Sequence, residues 1–324
     1  MSDTGEKKSI FTIYPVVVAS AMFCCILWGS ATPAIKIAYE LFGIGSDDVA
    51  SRLMLAGARF MLAGIMTVIF GSLILRKPLY PKKSTIKYVL FLSLFQTIGQ
   101  YYFFFMALAH TSGVRGSLIN ASGNFFAILF AIYIFRTEKP AIRKIIGCLV
   151  GFAGIVLIIG NGADILSGSV SLKGEGAMLA AAFFYAVSGC LISIFSKYEN
   201  PVILSGYQFM AGGLVLYIIG SAMGGALVFG SPACIGNLIY MGFISAGAYT
   251  LWGVLLKYNP VSRVSILGFM NPVMGVVLSA LFLGEIREAF SLKGLLALFL
   301  IVMGIIIVNS RENRKTDLTT PKKV

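Results

Sequence analysis

Ile134-Phe135-Arg136-Thr137-Glu138 and Leu281-Phe282-Leu283-Gly284-Glu285 close two apolar runs in the same way, and their glutamates stand 285 − 138 = 147 residues apart. The same offset joins Asn124 to Asn271 and Gly147 to Gly294. Nearby offsets join Tyr101 to Tyr249 (249 − 101 = 148) and Arg59-Phe60-Met61-Leu62-Ala63-Gly64 to Gln208-Phe209-Met210-Ala211-Gly212-Gly213 (208 − 59 = 149). Self-similarity at one period is the mark of a duplicated chain, and it constrains the fold before any single motif does.

What is duplicated is membrane-spanning. Of 324 residues, 58% are apolar and only 12% charged, about half the charged share of an ordinary soluble domain. A helix needs roughly 20 apolar residues to cross a hydrocarbon core about 30 Å thick. Ten segments meet that length: 14–41, 52–75, 86–109, 114–135, 143–161, 175–196, 202–224, 236–257, 261–283 and 292–309. The first follows Lys7 and Lys8 but is too long for a secretory signal, so it reads as a retained helix. The expected fold is an all-α integral membrane protein of ten transmembrane helices. Five fall in 14–161 and five in 175–309, with 1–13 and 310–324 as cytoplasmic tails.

Five is an odd number, so the second copy enters the bilayer upside down. Inverted repeats of this kind build secondary transporters, whose two halves exchange shapes to expose one central site to each side in turn. Orientation follows from Lys and Arg, which are retained on the cytoplasmic side. Nineteen of 26 lie in the two tails and the even-numbered loops, against Arg52, Arg115, Lys173, Arg287 and Lys293 in the odd ones. Both termini are therefore expected in the cytoplasm, with the chain multi-pass in the cell's inner (plasma) membrane.

Several function classes fall away. The formal charge of +13 sits in short loop clusters, as in cytoplasmic membrane loops, so nucleic acid is not an expected partner. The five cysteines have no CxxC spacing and His110 is the only histidine, which leaves no disulfide framework and no His-based metal set. No GxSxG elbow and no GxxxxGK[ST] phosphate loop occur, so neither an enzyme nor a cofactor is expected. The expected partners are a small-molecule substrate and the lipid bilayer, and a monomer suffices for the inverted symmetry.

Polar residues at mid-span are costly in hydrocarbon and usually face a bundle interior or a wet cavity. Asn120, Asn124 and Asn271 are of this kind, either as substrate ligands or as bonds between helices. Gln96, Gln100 and Tyr101 share a face of the third span, answered by Tyr249 and Trp252 in the eighth. Trp28 and Tyr185 hold corresponding places in the first and sixth. Aromatic rings there either stack a substrate or pack the bundle. Arg59, two turns into the second span, is placed to hold a substrate carboxylate or a neighbouring carbonyl, with Gln208 in its place in the other half. Lys36 is expected to snorkel or to pair with Glu40. Glu138 and Glu285 read as loop anchors, and Gly29, Pro33 and Pro272 as hinges, with a freed carbonyl at Asn271-Pro272.

Trp28-Gly29-Ser30-Ala31-Thr32-Pro33, Ala58-Arg59-Phe60-Met61-Leu62-Ala63-Gly64, the short third-to-fourth turn and the Glu138 and Glu285 endings together resemble the EamA branch of the drug/metabolite transporter superfamily. The likeness runs from about Tyr14 to Asn309. It implies a ten-helix inner-membrane carrier of small metabolites, often an exporter of amino acids or related compounds, with helices of both halves around a central cavity. Members commonly carry proline in the middle of the fourth and ninth helices. Pro272 matches, and Phe125 stands at the first-half position. The four-helix multidrug relatives couple protons through a carboxylate in the first helix, and none lies between Tyr14 and Tyr39 here. The expected function is thus alternating-access transport of a small metabolite, with export favoured and facilitated diffusion or exchange ahead of proton coupling. A non-transporting sensor or scaffold and a passive channel are the competing readings.

Overall fold

The computed structural model describes residues 9–159, 171–268 and 270–309. The expected tails, for the most part, and the connection after the fifth span lie outside the described residues. Seven helices of 22–28 residues are long and apolar enough to cross a membrane. In chain order these and the shorter ones are α1 (Tyr14–Leu41), α2 (Val49–Leu75), α3 (Lys83–His110), α4 (Gly113–Ile134), α5 (Ile142–Ile159), α6 (Leu172–Phe195), α7 (Pro201–Ala222), α8 (Pro232–Tyr258), α9 and α10 (Leu292–Asn309). The ninth is in two pieces, α9a (Val261–Leu267) and α9b (Met270–Leu283). Large apolar side chains such as Ile74, Phe70, Leu149, Phe282 and Phe299 are exposed around the outside. On a soluble monomer such a belt would be anomalous, and on a membrane protein it meets lipid.

The fourth span is interrupted too. It divides into α4a (Gly113–Asn120) and α4b (Ser122–Leu129), the latter continued by a π-helical turn over Phe130–Ile134. Ala121 and Gly268 are the turn residues, 268 − 121 = 147 apart. Around each, the hydrogen bonds shorten to three residues in the same pattern. Ala121 donates to the Leu118 carbonyl and Asn124 to Ala121, while Gly268 shares its N–H between Val264 and Ser265 and Asn271 donates to Gly268. The breaks therefore fall four residues before Phe125 and Pro272 rather than at them. In the ninth span the cause is direct: proline has no N–H, so the carbonyl of Gly268 has no partner one turn on and takes the Asn271 N–H instead. Phe125 has an N–H and the same bend forms, which shows that proline is not required for it. The Leu267 carbonyl, left at the end of α9a, accepts the Cys25 thiol at 3.4 Å.

Inverted symmetry is visible in the packing. α1 lies against α8 and α9b, and its counterpart α6 lies against α3 and α4b. α2 and α7 form a long antiparallel pair built on glycines at heptad spacing, Gly57, Gly64 and Gly71 on one and Gly206, Gly213 and Gly220 on the other. A Cβ on Gly64 would come within 2.5 Å of the Gly206 carbonyl, and one on Gly213 within 2.7 Å of the Met61 nitrogen. Small residues let membrane helices approach at backbone distance, where packing rather than the hydrophobic effect holds them. α5 and α10 pair similarly, with Gly154 against Ala297 and Leu300. α1 runs unbroken through Gly29 and Pro33. Gly29, expected as a hinge, is also a close contact: a Cβ there would meet the Met274 Cβ of α9b at 2.5 Å.

Gly64→Leu is expected to destabilise the fold by about 1–3 kcal/mol or more, since no side chain fits against the Gly206 carbonyl. Thermal unfolding in detergent measures this. Gly189→Ala, whose Cβ would meet nothing within 4 Å, is the matched control and leaves the midpoint unchanged.

Candidate functional site

The interruptions place the site. Asn120 is the last residue of α4a, and Asn124 and Asn271 occupy the first turns of α4b and α9b. All three line one central cavity of about 40 Å³ together with Trp28, Thr32, Arg59, Gln100, Tyr101, Phe104, Ser117, Tyr185 and Tyr249. Nine of the eleven expected site residues thus meet at one place, contributed by α1, α2, α3, α4, α6, α8 and α9b. Gln96 and Trp252 are not in the lining. Gln96 sits buried in the π-helical turn Leu94–Gly99, one turn from Gln100. Trp252 stands behind Trp28, ring centres 4.9 Å apart, and braces it.

Thr32, Phe104 and Ser117 were not expected from the sequence, yet each carries a helical signal. They follow Trp28 by four, follow Tyr101 by three and precede Asn120 by three, so they share faces with residues already singled out. Close packing brings the two interrupted spans together across the cavity. A Cβ on Gly268 would lie 2.7 Å from Asn124 Oδ1, and one on Gly275 would lie 2.5 Å from Ser117 Oγ.

Hydrogen bonds order the aromatic wall. Tyr101 and Tyr249 share a hydroxyl contact of 2.5 Å, and Gln100 Nε2 donates to the Tyr249 hydroxyl at 2.9 Å. Trp28 packs edge-on against Tyr249 at 5.0 Å and Tyr185 at 6.3 Å. Arg59 reaches the cavity from α2, held by the Met241 carbonyl and the Ser245 hydroxyl of α8. Gln208, its counterpart in α7, does not line the cavity: it accepts from Thr97 Oγ1 at 2.6 Å in the interface with α3. The repeat is symmetric in backbone and asymmetric in site chemistry.

Glu138 and Glu285 do more than anchor loops. Glu285, beyond the end of α9b, accepts the backbone N–H of Gly113 and of Val114 at 3.1 and 2.9 Å, and so caps α4a. Glu138, beyond the end of the fourth span, accepts the Ser262 N–H at 2.8 Å and so caps α9a. Each interrupted span is held at its start by a carboxylate from the other repeat, where the unsatisfied N–H groups and the helix dipole favour negative charge. Lys36 pairs with Glu285 at 3.5 Å rather than with Glu40, and Lys144 pairs with Glu138 at 2.8 Å. Glu175 pairs with Arg115 at 3.1 Å beside the first of these.

Replacing either cap is expected to loosen the half-helix it holds. Glu285→Ala and Glu138→Ala each cost about 1–2 kcal/mol, read as a lowered unfolding midpoint, and the double variant is additive because the caps lie in separate networks.

Comparison with known proteins agrees with this architecture. A family model described as the EamA-like transporter family matches twice, over residues 16–160 and 172–310. A protein of Bacillus subtilis described as an uncharacterized transporter is 25% identical over 301 residues, covering 90% of each chain. A probable amino-acid metabolite efflux pump of Escherichia coli is 28% identical, covering 82% of this chain and 86% of that one. A solved structure with 18% identity superposes with a TM-score of 0.66 over 91% of this chain and 97% of its own, a likeness of fold. Two matches, one per repeat and together covering nearly the whole described chain, show that this multi-pass membrane protein belongs to the EamA-like transporter family.

Proposed function

We propose that the chain is a secondary carrier that moves a small polar metabolite through the central cavity by alternating access. The observation that carries the reading is the convergence of Asn120, Asn124 and Asn271, at the two symmetric breaks, on one aromatic and amide-lined cavity. Discontinuous helices meeting at mid-membrane are how carriers present backbone and side-chain polar groups to a cargo. The relatives named as amino-acid metabolite efflux pumps favour export of an amino acid or related compound. Positive charge in the even loops supports cytoplasmic termini, the reading takes the chain to sit in the inner membrane, and a monomer suffices for it.

The cavity is far smaller than the few hundred cubic ångströms of a typical metabolite site, so the conformation is contracted. Ties exist at both ends: Lys36 with Glu285 and Arg115 with Glu175 on the side assigned as outer, Lys144 with Glu138 on the side assigned as cytoplasmic. Opening toward one side requires that side's tie to release while the other holds, and the inverted repeat makes the two openings similar movements. Nothing in the reading calls for catalysis or a cofactor.

Counterflow in proteoliposomes tests it. Vesicles preloaded with pooled unlabelled metabolites are offered trace labelled amino acids, nucleosides and organic cations. Transient accumulation of one label is expected, reduced about tenfold or more when both Asn124 and Asn271 become alanine. No accumulation of any label would count against the carrier and in favour of a sensor or scaffold.

A further inference from the structure

We propose that a second cavity, at the face assigned as cytoplasmic, is a binding site for a phosphate monoanion or dianion, carried by the headgroup of a phosphomonoester lipid or by free phosphate. The cavity holds about 420 Å³, far more than the central one and within the range of small-ligand sites. It lies where three segments meet. The loop from α2 to α3 contributes Lys77, Tyr80 and Lys82, the loop from α6 to α7 contributes Lys197, Tyr198 and Glu199, and the last turn of α8 contributes Lys257. The first loop belongs to one repeat and the other two segments to the second. The site is separate from the central cavity and stands whether or not the chain is a carrier.

Bonds between the repeats fix its walls. Glu199, 7% exposed, accepts the Lys82 N–H at 3.1 Å and the Thr85 hydroxyl at 2.7 Å, both of the first repeat, and the Asn200 N–H at 2.9 Å. The Tyr207 hydroxyl of α7 donates to the Leu79 carbonyl at 3.0 Å. Tyr198 is stacked on Tyr88 of α3, ring centres 5.5 Å apart. The concavity is thus built between loops that hold one another in place.

Four ammonium groups share it with one carboxylate. Glu199 already accepts from three neutral donors, and no second acid stands among the lining residues. Like charges gathered in a concave, partly desolvated place repel one another and focus a positive field. Retention of positive charge on the cytoplasmic side explains why lysines lie on this face. It does not explain why four converge from three segments, while Lys83 and Lys87 stand nearby in sequence and do not line the cavity. A phosphate monoester carries a charge of about −1.5 to −2 near neutral pH and three acceptor oxygens, which suits convergent ammonium groups better than the single charge of a carboxylate. Lysine binds phosphate as a point charge, and the exposed hydroxyl-bearing rings of Tyr80 and Tyr198 add neutral donors.

The position suits a headgroup. α2 ends in Leu73, Ile74 and Leu75, all exposed, and Lys77 follows two residues later. The cavity therefore opens where the lipid-facing surface stops, at the depth where basic pockets between spans hold anionic headgroups. A bound phosphate draws lysines of both repeats onto one group and so holds the two halves together at this face.

Thermal unfolding of the purified full chain in an uncharged detergent tests this. Dioleoyl phosphatidic acid, inorganic phosphate and dioleoyl phosphatidylcholine, whose phosphate is a diester beside its own cation, are compared at fixed ionic strength. A saturable rise in the midpoint is expected with phosphatidic acid, with phosphate or with both, and none with phosphatidylcholine. A rise with phosphatidic acid that excess phosphate leaves intact assigns the site to the lipid. A rise with phosphate alone assigns it to the free anion, and competition between the two shows that it takes either. Lys77→Gln with Lys197→Gln, one lysine from each repeat, is expected to weaken the apparent affinity about tenfold or more. Lys83→Gln with Lys87→Gln removes the same charge outside the cavity and is expected to stay within about threefold of the unaltered chain. Each double variant is judged by its own midpoint with and without the anion, so a lower starting stability does not mimic lost binding. No rise with either anion, an equal rise with phosphatidylcholine, or equal weakening in the two double variants overturns the proposal.

Discussion

Glu138 and Glu285 each hold the start of a helix that belongs to the other repeat, and the rest of the site depends on that exchange. An interrupted helix in hydrocarbon exposes backbone N–H groups that water does not reach, and each one left unpaired costs several kcal/mol. Two half-helices, α4a and α9a, start close to the membrane boundary, and each finds its acceptor on the far repeat. The carboxylates also sit where a helix dipole favours negative charge, with Lys36 and Lys144 balancing them. Once the half-helices are held, the turns at Ala121 and Gly268 are fixed in space, and with them Asn120, Asn124 and Asn271.

Much of this was legible in the sequence because its causes are local. Ten apolar spans follow from length and hydropathy, the duplication from the 147-residue offset, and the candidate site from the rarity of polar residues at mid-span. The 147-residue offset that paired Asn124 with Asn271 also relates the two interruption points. What the sequence did not disclose depends on contacts between distant segments. Pro272 drew attention to itself as a hinge, while the matching three-residue bonds before Phe125 had no local signal. Gly29 looked like a flexible point and is a close contact with Met274. Lys36 had Glu40 one turn away and chose Glu285, because that carboxylate lies partly buried at the α4a start. Gln96 and Trp252 were polar or aromatic at mid-span, as expected of site residues, yet Gln96 lies buried outside the lining and Trp252 packs behind Trp28.

Symmetry and function pull in different directions. Backbone symmetry lets two halves adopt each other's shape, whereas recognition of an asymmetric molecule demands different groups at matching places. The structure separates the two demands by position. Glycines at 57, 64 and 71 have counterparts at 206, 213 and 220, and both breaks carry the same pair of three-residue bonds. The side chains aimed at the cavity diverge: Arg59 against Gln208, which is turned away into a bond with Thr97, and Trp28 against Tyr185.

Close packing also decides which parts can move. α2 and α7 meet at backbone distance along their length, so neither slides past the other without driving carbonyls into Cα atoms, and α5 with α10 is similarly tight. These pairs join the two repeats. α4 and α9 differ: each is two short segments connected by a turn, tied at its start to one carboxylate, and each carries an asparagine into the cavity. A half-helix can tilt about its turn with the loss of a few bonds, where a continuous helix would have to move entire. Residues of both α4b and α9b line the cavity. The carboxylates that hold the two interrupted spans lie beyond the ends of the other repeat's helices, Glu285 after α9b and Glu138 after α4b, so the exchange that fixes the starts of these spans also fixes the asparagines they carry into the cavity.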